Sequence, residues 1–258
     1  MPVQVALGSV AVLIVVALAA PFALRRPLAA TRFVYAACAL VALVLLATAG
    51  AALLGRIDIS GETVLPVGLP WLGARFRIDP LSAFFLLVVD LGAAAASLYA
   101  LGYGPHEEHP ERVLPFYPAF LAGMNLVVLA ADAFSFLVAW EFMSLASWAL
   151  VMAHHQLEEN RRAGYVYLVM ASFGTLMLLL AFGLMAGPDG AYVFSEMRTR
   201  THPDWLPGLV LILAILGAGS KAGLVPLHVW LPLAHPAAPS HVSALMSGVM
   251  TKVAVYGF

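Results

Sequence analysis

The sequence predicts an all-α, polytopic transmembrane helix bundle of about eight helices, the seventh broken by proline. Three observations carry that prediction. Hydrophobic residues make up 62% of the 258 positions and charged residues only 10%, with a mean hydropathy of +0.94. So little polar surface cannot cover a water-soluble globule. Apolar runs of about 20 residues, long enough to cross a hydrocarbon core of ~30 Å, recur between short polar turns. Finally, between Gly217 and Lys252 two lysines, Lys221 and Lys252, sit in apolar helix on either side of a proline-rich segment, and both are expected to be buried in the membrane.

The same composition excludes other classes. A formal net charge of −1 provides no basic stripe for nucleic acid, and no run of like charges marks a disordered tail. The single cysteine, Cys38, falls inside an apolar run, where a packed thiol fits better than a disulfide or a reactive group.

In chain order, Val3 to Leu24 forms span 1. Ala17-Leu18-Ala19 resembles a signal-peptidase site, but Met1-Pro-Val-Gln carries no Lys or Arg and the apolar run is longer than a signal core, so the segment is read as a membrane helix. Arg25, Arg26, Pro27 and Arg32 make a basic turn before span 2, Phe33 to Leu54. Gly55 to Asp79 reads as an extramembrane loop anchored at the interface by Trp71. Asp79-Pro80 then caps span 3, which runs to about Leu101. Asp90 lies in the middle of it. A membrane carboxylate costs about 2.5 to 3.5 kcal/mol, so Asp90 needs a partner or a proton; a satisfied structural hydrogen bond is the favoured reading, ahead of a place on a proton path.

His106-Glu-Glu-His109, bracketed by Pro105 and Pro110, lacks the His-Glu-x-x-His spacing of a helical zinc site and reads as a solvated loop. Spans 4 and 5 follow nearly without a break, Val113 to Ala131 and Asp132 to Ala153. Span 5 centres Glu141 in about 21 residues, with Ser144, Trp148 and His155 continuing its face. Gln156 to Arg162 is expected as a charged loop, Ala163 to Met185 as span 6, and Pro188 to Pro207 as a second extramembrane loop.

Span 7 begins at Gly208. Pro226 has no N–H and collides with the carbonyl four residues back, so the helix should end near Ala222, leave carbonyls unpaired beside Lys221, and resume briefly through Trp230. Non-helical backbone at that depth argues for a polar path. Span 8 starts near Ser240. Gly219 and Gly223, flanking Lys221, are expected to let another helix come close. Three imidazoles, His228, His235 and His241, gather around the break at spacings that match no structural zinc pattern. A proton relay or hydrogen bonds to the freed carbonyls fit them better than a metal.

Asp90, Glu141, Lys221 and Lys252 together would cost roughly 10 kcal/mol if unpaired. Buried ion pairs could cancel that cost, yet such pairs stabilise weakly. The bases are lysines, and lysine, unlike arginine, can release its proton when desolvated. A lysine next to a glutamate is a switchable proton site.

Lys221 to Pro232, His235-Pro-Ala-Ala-Pro-Ser240, and Val242-Ser-Ala-Leu-Met-Ser-Gly-Val-Met250 with Lys252 resemble the antiporter-type membrane subunits shared by respiratory complex I, Mrp cation/proton antiporters and group 4 membrane hydrogenases. So do Ile78-Asp-Pro-Leu-Ser-Ala-Phe-Phe85 and the Glu141-Phe-Met-Ser-Leu tail. The HPAAPS-x-VSAL wording is most similar to the hydrogenase-4 and formate hydrogenlyase branch. The resemblance implies that Glu141 modulates Lys221, that His228 sits beside the break, and that Lys252 passes the proton onward, with His235, His241 and Asp90 as further candidates.

It also implies N-terminal helices over 1–102, then the first of two inverted five-helix repeats over 103–258. The second repeat would be truncated away, encoded separately or supplied by a partner. Leu233 stands where many relatives carry an acid. Six arginines in loops 1-2, 3-4 and 5-6 against five in loops 2-3 and 6-7 hardly separate the two orientations; the resemblance implies an outside N-terminus in the inner (plasma) membrane. No Cys cluster, dinucleotide glycine motif or haem attachment sequence occurs, so no catalytic, cofactor or metal residue is expected here. Redox chemistry would belong to a peripheral hydrogenase or dehydrogenase arm and other membrane subunits. The expected function is proton translocation coupled to that arm; an Mrp-type sodium/proton antiporter and a passive membrane anchor are the alternatives.

Overall fold

The computed structural model describes residues 1–190 and 192–258; Ala191, within the loop expected from Pro188 to Pro207, lies outside them. Among the described residues, seven helices are long and apolar enough to cross a membrane: Pro2–Ala23, Pro27–Leu53, Pro80–His106, Pro110–Leu129, Ala133–Val151, Glu158–Ala186 and Leu206–Ala237. These are spans 1 to 7. Span 8 is shorter and continuous, built from Ser240–Leu245, a π turn at Met246–Met250, and Thr251–Tyr256. The protein is a multi-pass, all-α membrane protein.

Local chemistry sets the starts. Proline occupies the first turn of spans 1, 2, 3 and 7, where its missing N–H costs nothing. Asp79 caps span 3 as expected: its carboxylate accepts from Ser82 N at 2.8 Å while Asp79 N donates to Ser82 Oγ at 2.7 Å. Asp132, fully buried, caps span 5 by accepting from Ser135 N at 2.8 Å, and its other oxygen accepts from Arg75 N at 2.9 Å.

Three expectations are corrected. The stretch from Gly55 to Asp79 is more than a loop, because β1 (Glu62–Leu65) and β2 (Ala74–Arg77) pair antiparallel with Glu62 opposite Arg77. A bridge from Phe76 to Ala130 ties this hairpin to the connection before span 5, and one from Asp132 to Val193 ties that connection to the segment before span 7. The expected loop Gln156 to Arg162 is largely helical: span 6 begins at Glu158, since Glu158 and Glu159 in a first turn complement the helix dipole. Span 4 begins a turn early, at Pro110, and is interrupted before Phe116, where Pro115 removes a donor.

Spans 2 and 3 pack along much of their length, as do spans 4 and 5 and spans 6 and 7, and span 8 lies against both span 3 and span 7. Span 4 is the most enclosed. The close approach between spans 6 and 7 is made by Gly174 and Gly217: a Cβ on either would stand 2.9 Å from the other's carbonyl oxygen. Gly219 and Gly223 do not serve that purpose. A Cβ on them would meet Leu224 and Leu231, side chains of span 7's own continuation.

Candidate functional site

Span 7 does end its first helix at Ala222, but glycine ends it before proline is reached. Gly223 adopts a left-handed conformation (φ 79°), and its N–H and that of Leu224 both donate to Gly219 O. Trp230 Nε1 reaches back to donate to Ser220 O at 2.7 Å. At least these two carbonyls beside Lys221, expected to be unpaired, are therefore partnered. Past Pro226 the chain makes a 3-10 turn at Leu227–Trp230 and a helix at Leu231–Ala237.

Lys221 is only 2% exposed. Its ammonium donates to Ser144 Oγ at 2.6 Å and to Tyr167 OH at 3.2 Å, and it lies 5.1 Å from the Tyr167 ring centroid and 5.8 Å from that of Trp140. Ser144 Oγ donates to Trp140 O at 2.7 Å, leaving its lone pairs for the lysine; Tyr167 OH is also bonded to Ser147 Oγ at 2.6 Å. The void lined by Tyr167, Met170, Ala171, Ser220, Lys221 and Trp230 is too tight for a water molecule.

Glu141 is half-buried and accepts a hydrogen bond from Thr175 Oγ1. Glu141 makes no ion pair with Lys221: among the described residues no carboxylate oxygen comes within 4.0 Å of the Lys221 ammonium. Glu141 and Ser144 share a face of span 5, and Lys221 meets that face at Ser144, one helical turn along.

Lys252 lies on the outside of this bundle; its ammonium donates to Ser247 O at 2.9 Å and Thr251 Oγ1 at 3.2 Å. The π turn immediately before it shifts the helical register, so a 3.6-residue period misplaces its face. The three histidines have separate surroundings. His228 is half-buried and its Nδ1 has no partner, so the expected bond to a freed carbonyl is missing there. His235 Nδ1 lies 3.0 Å from Ser243 Oγ. His241, 1% exposed, sits among the rings of Tyr35, Tyr103 and Tyr117 with its Nε2 3.0 Å from Tyr35 OH. His155 lies past the end of span 5 and is exposed, its imidazole bonded to Met152 O, so it does not extend the Glu141 face. In the His106 to His109 stretch, Glu107 pairs with His154 at 2.8 Å and His109 with Glu111 at 3.2 Å.

Asp90 is 1% exposed, and its expected hydrogen bond exists on one oxygen alone: Asn125 Nδ2 donates to Oδ1 at 3.3 Å, while Oδ2 has no partner. Reasoning from sequence missed Tyr167, Thr175, Ser147 and Asn125. A signal was present, since each is a polar group inside an apolar span, and Tyr167 and Thr175, eight residues apart, share a face of span 6.

The described residues thus form a bundle of apolar helices, one of them broken beside a buried amine held by hydroxyls. Residues 130–258 match the family model described as NADH:quinone oxidoreductase/Mrp antiporter, TM. The chain is 43% identical over 183 residues to Hydrogenase-4 component B of Escherichia coli (strain K12), covering 70% of this chain and 27% of that protein. It is 32% identical over 254 residues to NADH-quinone oxidoreductase subunit N of Desulforudis audaxviator (strain MP104C), covering 93% of this chain and 48% of that one. Its fold matches a chain of the Mrp complex from Dietzia sp. DQ12-45-1b with a TM-score of 0.80 at 25% identity, over 98% of this chain and 27% of that chain. The chain belongs to the NADH:quinone oxidoreductase/Mrp antiporter membrane family, and it spans a quarter to a half of the length of these relatives.

Proposed function

We propose that this chain is the proton-translocating part of a membrane subunit in a hydrogenase-4-like or NADH:quinone oxidoreductase-like complex. Residues 1–102 would supply supporting helices and 103–258 the first of two inverted repeats, in the inner (plasma) membrane beside other membrane subunits and a peripheral redox arm. The observation that carries this reading is the lodging of Lys221, an amine buried at the helix break with hydroxyls and, among the described residues, no carboxylate in contact. Such an amine is held in either protonation state, because Tyr167 can accept from an ammonium or donate to a neutral amine, while Ser144 accepts from either. Glu141, one turn away, biases the charged form when ionised. His228 and Lys252 would continue the path, with His235 and His241 as further groups and Asp90 apart from it.

The test is proton uptake by inverted membrane vesicles carrying the whole complex, with Lys221→Ala and Lys221→Arg. Arginine keeps the charge but cannot release a proton, so a translocating site loses uptake in both variants while the complex still assembles. Retained uptake in Lys221→Arg would refute the reading in favour of a structural charge in an anchor. Proton flux that requires sodium and no electron donor would instead assign the Mrp-type antiporter function.

A further inference from the structure

Asp90 on span 3 and Asn125 on span 4 face each other in the bundle interior, 1% and 0% exposed. Their hydrogen-bond inventory does not close. Asn125 Nδ2 spends its two hydrogens on Asp90 Oδ1 at 3.3 Å and on Leu121 O at 3.1 Å. Asp90 Oδ2 and Asn125 Oδ1 are left without partners. If Asp90 is ionised, both orphans are acceptors and neither can serve the other. Exchanging the amide oxygen and nitrogen does not change the count of donors. One added proton does: on Asp90 Oδ2 it would supply the donor that Asn125 Oδ1 lacks, and an acid–amide pair with a hydrogen bond in each direction would balance the inventory.

Among the described residues, no charged side chain lies within ion-pair distance of the carboxyl. Spans 2, 4 and 8, which pack against span 3, carry the titratable groups Arg32, Tyr35 and Cys38, Glu111, Arg112 and Tyr117, and His241, Lys252 and Tyr256. Of the described residues, only Asn125 makes a hydrogen bond to Asp90, and none makes an ion pair with it. The nearest partnered side chain toward the His241 end of span 3 is Ser97, seven residues or roughly 10 Å along the helix, bonded to Tyr117 OH at 2.9 Å.

We infer that Asp90 and Asn125 form a second proton-binding site, an acid–amide pair between spans 3 and 4 that holds one proton and is separate from Lys221. Uptake adds a solvent proton to Asp90 Oδ2; release leaves the carboxylate with its single amide donor. The inference stands independently of the function proposed for Lys221.

Infrared spectroscopy of the full chain in lipid nanodiscs tests it, using aspartate labelled with carbon-13 at the side-chain carboxyl. A neutral aspartic acid gives a carbonyl stretch above the amide bands that moves with the label and with deuteration. The expected result is such a band in the unsubstituted protein, absent in Asp90→Asn and displaced in Asn125→Ala, where the acid loses its amide acceptor. No label-sensitive neutral-acid band, or one that survives Asp90→Asn, would overturn the inference. So would a band that vanishes when sodium replaces potassium, because a bound cation would then be what holds the two oxygens.

Discussion

Lys221 and Asp90 are buried to nearly the same degree, 2% and 1% exposed, yet the bundle accommodates them differently. The ammonium has two hydroxyl acceptors and two aromatic faces; the carboxylate has one amide donor and an oxygen with nothing. The difference follows from what a helix bundle has to spare. Helical N–H groups are consumed by the backbone ladder, whereas each carbonyl keeps a second lone pair and each hydroxyl can point its hydrogen at a carbonyl and still accept. Acceptors are plentiful in an apolar bundle and donors are scarce. Lys252 fits the pattern, bonding to Ser247 O, a carbonyl of its own helix. Glu141 fits it too, since it draws its donor from the hydroxyl of Thr175 on span 6.

The substitution expected to disturb this contrast most is Asn125→Leu, which takes away the one side-chain donor that the described residues give the Asp90 carboxyl. A charged Asp90 stripped of its partner would cost about 3 to 5 kcal/mol. A neutral one would cost about 1 to 3 kcal/mol, and that smaller loss is what we predict in denaturant titrations of the detergent-solubilised chain. A larger loss would erase the distinction drawn here by making Asp90 a fixed charge.

Tyr167→Phe should act less strongly, at about 1 kcal/mol in the same titration, because Ser144 remains as an acceptor for Lys221. Combining it with Ser144→Ala should cost more than the sum of the two single changes, since only the double variant strips Lys221 of both acceptors. Strict additivity would show that Lys221 does not depend on those hydroxyls. The smallest effect belongs to Lys252→Gln, expected within about 0.5 kcal/mol of the unsubstituted chain because its ammonium is exposed and bonded to its own helix. A loss comparable to that of Asn125→Leu would mean that Lys252 is held by more than that helix.

The sequence by itself determined the eight spans, the capping of span 3 by Asp79 and the end of a helix at Ala222. Each depends on apolar length or on backbone chemistry within a few residues, and such local signals survive without knowledge of neighbours. It also singled out Lys221 and Glu141, because a charge in an apolar run is conspicuous wherever the run packs. Tertiary structure alone decided that Lys221 meets Ser144 and Tyr167 in place of Glu141, that Lys252 turns outward and that Asp90 has a single donor. Which groups meet depends on the rotation and depth of one helix against another. The contact of Gly174 with Gly217 brings spans 6 and 7 together and one π turn offsets the face of span 8, and hydropathy encodes neither.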